Sequence, residues 1–405
     1  MKLNNKGFAL TSIIYMLIVL FLILLLLLLA NLASRKTVLD KVKYDVKDKL
    51  NQGGVTQTEQ TLYDVLLMYY YSNENPGKNG YITTPGKETP TQNEGLIKSE
   101  DDSGITYYFR GNTDNNYVYF ADKIFRIIRI NGDGTIRLVL NEDIGTKKYN
   151  TENSSAKYVG YTMDRQSDEI NSNVKTYLDD WYNGTGEFEG QKSLIYYDNK
   201  ISSTNFCNDT STYIDENIFG QGESFSAQKR LNPTIKEEIY PVFNCQPTKN
   251  FYGGNYNIKV GLLTADEIAY AGGIFSEETG NNYLQNNETY ITMTPARYQD
   301  GGETLASLIL RCYAESSTSL EECSDVKLYG SKYDINKDGV VNASDASAAL
   351  SIENTAIIYA LSNGNIKEIK VNEEYKIKPV INLNRNVIVL SGNGTQENPY
   401  MIKEN

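Results

Sequence analysis

Histidine is missing from this chain of 405 residues. Its absence excludes Ser-His-Asp and Cys-His nucleophile activation, histidine ligation of metals and the usual general base near neutral pH. Basic residues are scarce relative to acidic ones, with 39 Lys and Arg against 51 Asp and Glu, and the net charge is −12. The first 50 residues contribute +5, so residues 51–405 carry −17. Nucleic-acid binding needs basic patches that neutralise phosphates, so we expect no nucleic-acid partner.

Only four cysteines occur, at Cys207, Cys245, Cys312 and Cys323. An even number permits two disulfides, with three possible connectivities. Proximity in the sequence favours the pairs 207–245 and 312–323, and free thiols are the alternative. No two cysteines have CxxC spacing, which argues against a structural zinc site.

Charged residues are also absent from one long stretch, residues 7–34. A membrane-spanning helix needs about 20 apolar residues, whereas the apolar part of a secretory signal has only about 7–15. The sequence therefore predicts a single transmembrane helix over residues 8–34 and a helical stalk over residues 35–52. Helical spacing places the apolar residues of the stalk on one face: Leu39, Val42, Val46 and Leu50.

The residues before this stretch, MKLNNKGFAL, resemble the leader of a type IV prepilin. The resemblance implies a leader of residues 1–7 that is cut between Gly7 and Phe8, and pilin-like assembly partners. Ser12 stands where pilins usually have a glutamate, and an uncut signal anchor is the alternative. This leader favours an N-terminus inside the cell, and thus a single-pass protein of the cell membrane whose C-terminal domain is extracellular.

The rest of the chain divides into a short helix with a flexible linker over residues 53–104 and a globular domain over residues 105–405. Turn residues at 131–134, Asn-Gly-Asp-Gly, predict a hairpin between two β-rich runs. Thr264 and Glu267 predict a capping box at the start of a helix.

Four pieces of the globular domain resemble uncharacterised domains of bacterial surface proteins: KIFRIIRINGDGTIRLV, VGLLTADEIAYAGG, IKPVINL and SGNGTQENPY. Those domains resemble the C-type-lectin-like fold shared with formylglycine-generating enzymes. The resemblance implies a mainly antiparallel lectin-like domain with short helices. Together with the transmembrane helix and stalk, the expected fold class is α+β.

One stretch, residues 334–345, matches a calcium loop of the EF-hand type. Such a loop supplies oxygen ligands at positions 1, 3, 5, 7, 9 and 12 and has glycine at position 6 for a sharp turn. Gly339 occupies that sixth position, and the loop lies in an insertion over residues 331–352. The predicted Ca²⁺ ligands are Asp334, Asn336, Asp338, the carbonyl of Val340, Asn342 and Asp345. The loop resembles one repeat of a dockerin, and an Asp/Asn-rich turn without a metal is the alternative.

These features predict a membrane-anchored bacterial surface protein without catalytic residues. Its calcium-stabilised domain would serve adhesion or recognition of a surface ligand, either a glycan or a protein. A minor pilin or pseudopilin is the second hypothesis. An enzyme on a formylglycine-generating-enzyme-like fold, with Cys312 as its nucleophile, is the third.

Overall fold

A computed structural model describes most of the chain after residue 58. The described residues are 59–79, 84–154, 159, 163–164, 167–207, 211–213, 215, 218, 222–235, 239–244, 255–314 and 332–404. Gln60–Asn405 belongs to one unit, so the globular part begins well before the predicted boundary at residue 105.

The strands, numbered along the chain, are more extensive than the helices. They are β1 (Gln60–Thr61), β2 (Asn93–Asp101), β3 (Gly104–Gly111), β4 (Tyr117–Phe120), β5 (Lys123–Ile130), β6 (Ile136–Leu140), β7 (Thr146–Lys148), β8 (Met163–Asp164), β9 (Ser167–Asn171), β10 (Thr204–Cys207), β11 (Thr212–Tyr213), β12 (Glu223–Phe225), β13 (Asn255–Ile258), β14 (Val260–Gly261), β15 (Thr289–Gln299), β16 (Thr355–Ser362), β17 (Asn365–Lys370), β18 (Glu374–Lys376), β19 (Val380–Leu383), β20 (Ile388–Ser391) and β21 (Tyr400–Ile402).

The α-helices of the described residues are short. They are α1 (Leu62–Tyr71), α2 (Asn173–Asn183), α3 (Ser226–Leu231), α4 (Ala265–Ala271), α5 (Gly302–Ala314) and α6 (Ala343–Ala349). Single 3₁₀ segments lie at Pro76–Asn79, Gly186–Phe188 and Leu194–Lys200.

Within the described residues the larger sheet has ten strands. Its main path runs β1-β20-β21-β4-β5-β6-β19-β14, and β2 joins through β3, which pairs with β5. Only β21 and β4 run parallel among these pairs. The strands β5 and β6 form the predicted hairpin, with Ile130 opposite Ile136, so the turn at residues 131–134 is confirmed.

The smaller sheet has seven strands among the residues described. Its path runs β11-β12-β15-β16-β17, and β18 links β15 to β7. The turn Asn363–Gly364 joins β16 to β17 with positive φ at both residues, as a type I′ hairpin requires. Helix α4 contacts β3 of the larger sheet and β15 to β17 of the smaller one.

One large apolar core lies between these elements. The spacing of the apolar residues in 173–182 predicts a helix with one apolar face, and that face of α2 is buried in the core: Val174, Tyr177, Leu178 and Trp181. The predicted capping box at the start of α4 is confirmed, because Thr264 accepts from the Glu267 N–H and the Glu267 carboxylate accepts from the Thr264 N–H. Local sequence signals therefore place α4, which carries part of the site described below.

The membrane part of the predicted fold class is corrected by the structure. Among the residues described here, no helix is both long enough and apolar enough to cross a membrane. The predicted leader, the span at residues 8–34 and the stalk at residues 35–52 lie outside the described residues. The predictions of a transmembrane helix and of single-pass localisation in the cell membrane are therefore not supported by the structure.

Part of the predicted linker is a strand of the larger sheet. Residues 93–101 form β2, which pairs along its length with β3. Asn75 explains how the preceding turn is held: its side chain donates to the carbonyls of Tyr70 and Leu96 and accepts from the Leu96 N–H. The sequence gave little indication of this strand, because β2 has only two buried apolar residues, Leu96 and Ile97, within a polar run.

Candidate functional site

The loop at residues 334–345 is closed by its own carboxylates. The Asp334 carboxylate accepts from the N–H groups of Asp338 (3.1 Å) and Gly339 (2.8 Å). Gly339 has φ +87°, a left-handed conformation that a side chain would strain. The glycine at position 6 therefore makes the sharp turn that the sequence pattern requires.

Asp345 joins the two ends of this loop from a buried position. Its Oδ1 accepts from the N–H groups of Ile335 (2.8 Å) and Asn336 (3.1 Å), and its Oδ2 accepts from the Asn342 N–H (2.8 Å). Asn342 also caps α6, since its side chain accepts from the Ser344 N–H. The last predicted ligand thus organises the loop backbone and starts the following helix.

A small apolar cluster packs against the loop. It is separate from the main core and consists of Leu305, Ala306, Leu308, Ile309, Tyr333, Ala346 and Ala349. Val341, at loop position 8, is partly buried against this cluster, as its apolar character predicts. The loop and α6 therefore pack against α5 through this cluster, apart from the main core. The segment that carries the loop and α6, residues 331–352, is called the insertion below.

The charges of the loop are unbalanced. Asp334, Asp338 and Asp345 supply three carboxylates, and no ion pair within the described residues joins any of them to a lysine or arginine. Like charges this close in sequence repel one another, and a hard cation prefers such oxygens. The donor set therefore fits calcium in its chemistry.

The side-chain arrangement is that of a hydrogen-bonded loop. The Asn336 amide donates to the Asp338 carboxylate (3.0 Å), and the Asn342 amide donates to the Val340 carbonyl (3.0 Å). Across the described part of the chain, no group of three or more His, Cys, Asp or Glu side chains is arranged to hold a metal ion. The predicted ligands share one loop, while calcium binding itself stays a prediction.

The remaining predicted residues are only partly described. Cys207, on β10, and Cys312, on α5, are both disulfide-bonded. Cys245, Cys323, Gly7 and Phe8 lie outside the described residues, so the predicted pairing and processing stay predictions. The disulfide at Cys312 leaves no thiol there for the nucleophile of the enzyme hypothesis.

The main body holds a buried ion cluster that sequence reasoning missed. We call it the arginine cluster, and its cations are Arg129 on β5, Arg137 on β6 and Arg230 on α3. Glu267 forms ion pairs with both Arg129 and Arg137, at 3.6 Å for Arg129. Arg230 pairs with Asp266 in a two-pronged contact, with both N–O distances at 3.1 Å.

A strand pattern does not reveal this cluster, because arginine is rarely buried unless it is paired. The available signal was the presence of arginines within the apolar runs KIFRIIRI and TIRLV, together with the adjacent acids Asp266 and Glu267 after a strand. A cavity of about 10 Å³ within the cluster has room for about one water.

Comparison of the chain with protein-family models, with curated proteins and with solved structures finds no match.

Proposed function

We propose that this protein is a non-enzymatic recognition protein whose insertion is ordered by one calcium ion. The observation that carries the proposal is the loop at residues 334–345. Its glycine turn is formed, its ends are joined by Asp345, and its three carboxylates have no cationic partner among the described residues. A recognition role follows from the predicted lectin-like character of the domain.

Calcium would be held by the side chains of Asp334, Asn336, Asp338, Asn342 and Asp345 and by the Val340 carbonyl. Bound there, the ion supplies positive charge against three carboxylates. The chain's own residues do the rest: Asp345 fixes the backbone, and Val341 ties the loop to the apolar cluster of the insertion. Calcium would thus stabilise the ordered conformation of the insertion.

The non-enzymatic part of the proposal rests on missing chemistry. The chain has no histidine to act as a base, and Cys312 is disulfide-bonded. The arginine side chains of the cluster are buried, and their charges are paired within the described structure. A glycan or a protein remains the proposed class of ligand.

Calcium titration of the full-length chain, followed by calorimetry and by melting temperature, tests the proposal. We expect one site with a Kd on the order of 10⁻⁴–10⁻³ M. Calcium at about 100 times the Kd should stabilise the folded insertion by about 2.7 kcal/mol. Asp334→Ala and Asp338→Ala should each abolish the heat and the stabilisation.

Asp114→Ala is the matched control, because Asp114 is an exposed aspartate outside the loop. It should bind calcium as the parent chain does. If the parent chain gives neither heat nor a melting shift with calcium raised to about 100 times that Kd, or if Asp114→Ala loses them too, the loop is not the calcium site.

A further inference from the structure

An open cleft of about 590 Å³ lies where α1 begins, next to the loop between β19 and β20. We call it the polar cleft, because every residue of its lining carries a polar group. Its volume falls within the range of about 300–1,000 Å³ that is typical of small-ligand sites. Its lining includes Thr61, Tyr63 and Asp64 from the start of α1, and Asn384, Arg385 and Asn386 from the loop.

The two segments that form the polar cleft are fixed to each other and to the main body. The strand β1, which precedes α1, pairs with β20, and the buried Leu62 donates its N–H to the Val387 carbonyl at 2.9 Å. Asn384 donates its N–H to the Lys200 carbonyl and its side-chain amide to the Asn199 carbonyl, both at 2.8 Å. A ligand therefore meets a cleft whose backbone is already in place, which lowers the cost of binding.

Arg385 is held in the polar cleft by contacts along its length. A Cβ on Gly134, which has φ +87°, would lie 2.6 Å from the Arg385 Cδ, so the stem of Arg385 packs on a position that only glycine leaves open. Its guanidinium lies over the Tyr63 ring, 4.0 Å from the ring centroid. Arg385 is exposed and forms neither a hydrogen bond nor an ion pair with any other described residue. Its five N–H donors are therefore available to a ligand.

Acceptor oxygens in the same cleft complement these donors. Asp64 is exposed, and its Oδ2 accepts from the Thr61 hydroxyl at 2.7 Å. The Asp64 Oδ1 has no hydrogen-bond partner among the described residues, and neither does the exposed side-chain amide of Asn386. Arg385 and Asp64 are the charged residues of the lining, and their charges cancel. The polar cleft thus offers accessible donors and acceptors without a net charge.

We propose that the polar cleft binds a neutral sugar ring of a glycan. A sugar hydroxyl has one donor and two acceptor sites, so neighbouring hydroxyls match the donors and acceptors of Arg385, Asn386 and Asp64. The half-buried Tyr63 ring adds an apolar contact for the C–H groups of the sugar. Within the described part of the chain, no Ala, Val, Leu, Ile, Met or Phe side chain lines the cleft, which disfavours a lipid or an apolar peptide.

Sugar binding rests on the recognition role of the proposed function and gives that role its ligand class, through residues remote in sequence from the calcium loop. An acidic side chain of a protein would instead place its carboxylate on Arg385. The probes for a glycan are the methyl glycosides of glucose, galactose, mannose and N-acetylglucosamine, and the probe for a protein is N-acetyl-glutamate amide. The matched control compound is 2-methoxytetrahydropyran, which has the ring of a glycoside without its hydroxyl groups.

The test is calorimetric titration of the full-length chain with each probe. We expect at least one of the four glycosides to bind at one site with a Kd on the order of millimolar. Arg385→Met keeps an unbranched stem beside Gly134 and removes the donors, so the fold should be retained, which the melting temperature checks. Loss of a hydrogen bond from a charged group should weaken binding at least about tenfold. Asp64→Asn keeps an oxygen for the Thr61 hydroxyl and should weaken binding as well.

Lys98→Met removes an exposed cation outside the polar cleft, so it is the matched control and should bind the glycoside as the parent chain does. The paired variant Asp334→Ala/Asp338→Ala should also bind it unchanged, so loss of calcium binding and loss of sugar binding are separable. The proposal is overturned if none of the four glycosides binds, if 2-methoxytetrahydropyran binds equally well, or if Arg385→Met leaves binding unchanged. Tighter binding of N-acetyl-glutamate amide than of every glycoside would overturn it in favour of an acidic protein ligand.

Discussion

Two regions of the molecule each gather three like charges, and they handle them in opposite ways. In the main body, the arginine cluster is buried and the chain itself provides the counter-charges Asp101, Asp266 and Glu267. In the insertion, three aspartates lie on one short loop, and no described lysine or arginine pairs with them. The arginine cluster thus carries its own counter-charges, while the loop of the insertion would take its counter-charge from calcium under the proposed function.

The main body also buries more apolar surface than the insertion does. The main core joins both sheets and α4, whereas the insertion has only the small cluster between α5 and α6. Burial of apolar surface stabilises by about 25 cal/mol per Å², so a small cluster contributes little. Removal of one charge should therefore change the unfolding free energy more in the main body than in the insertion, which three substitutions can test.

Glu267→Gln should have the largest effect. Glutamine keeps the capping box with Thr264, because it can still accept from the N-cap N–H. It removes the charge that faces Arg129 and Arg137, and unpairing a buried charge costs about 3–5 kcal/mol. Urea unfolding of the parent and the variant measures the loss.

Glu100→Gln, at an exposed position of β2, is the control and should change the unfolding free energy by less than about 0.5 kcal/mol. A loss below about 1 kcal/mol for Glu267→Gln would mean that water already solvates Arg129 and Arg137. That result would contradict the view that the cluster depends on the Glu267 charge.

Lys378→Met should have the second largest effect, with the opposite sign. Lys378 lies over the Tyr290 ring at 4.5 Å, and burial lowers the pKa of Lys378 to about 8, with Arg126 adding to the effect. The unfolded pKa is about 10.4, so between pH 8 and 10.4 the unfolded chain binds more protons and stability rises with pH. Below pH 8 Lys378 is charged in the folded chain, so its burial lowers the unfolding free energy by the full amount.

The methionine variant should therefore be more stable than the parent at pH 7, by on the order of 2 kcal/mol, and should lack the rise above pH 8. Chemical unfolding at a series of pH values measures both. Lys98→Met, at an exposed position of β2, is the control and should keep the rise. A parent whose stability is flat between pH 8 and 10.4 would contradict the lowered pKa.

Local signals in the sequence predicted local structure, and they failed where contacts are distant. The hairpin at residues 131–134, the capping box of Thr264 and Glu267 and the apolar face of α2 all depend on neighbours within a few residues. The arginine cluster depends on Glu267 meeting Arg137, 130 positions away in the sequence. Nothing in the pattern around either residue specifies that contact, so periodicity alone predicted ordinary strands.

The candidate calcium loop was readable for the same reason, since all of its proposed ligands lie within 12 residues. The arginine cluster was not predictable in this way, because Arg230 is brought to Asp266 only by the packing of the fold. Sequence patterns thus predicted the candidate site that is local in the chain and missed the cluster that is assembled.

Asp338→Asn should have the smallest effect, and its sign should depend on calcium. Asparagine keeps an oxygen that can accept from the Val340 N–H, and it removes one of the three loop charges. Without calcium, repulsion falls, and the insertion should gain no more than about 0.5 kcal/mol because the loop is exposed and screened. With calcium, one ligand charge is lost and the variant should be less stable than the parent. Hydrogen exchange of the α6 amides with and without calcium measures both states, and Asp114→Asn is the control that should follow the parent.

Destabilisation without calcium would show that the hydrogen bonds of Asp338 outweigh the repulsion between the loop carboxylates. The loop would then be stable without an added cation, as the arginine cluster is.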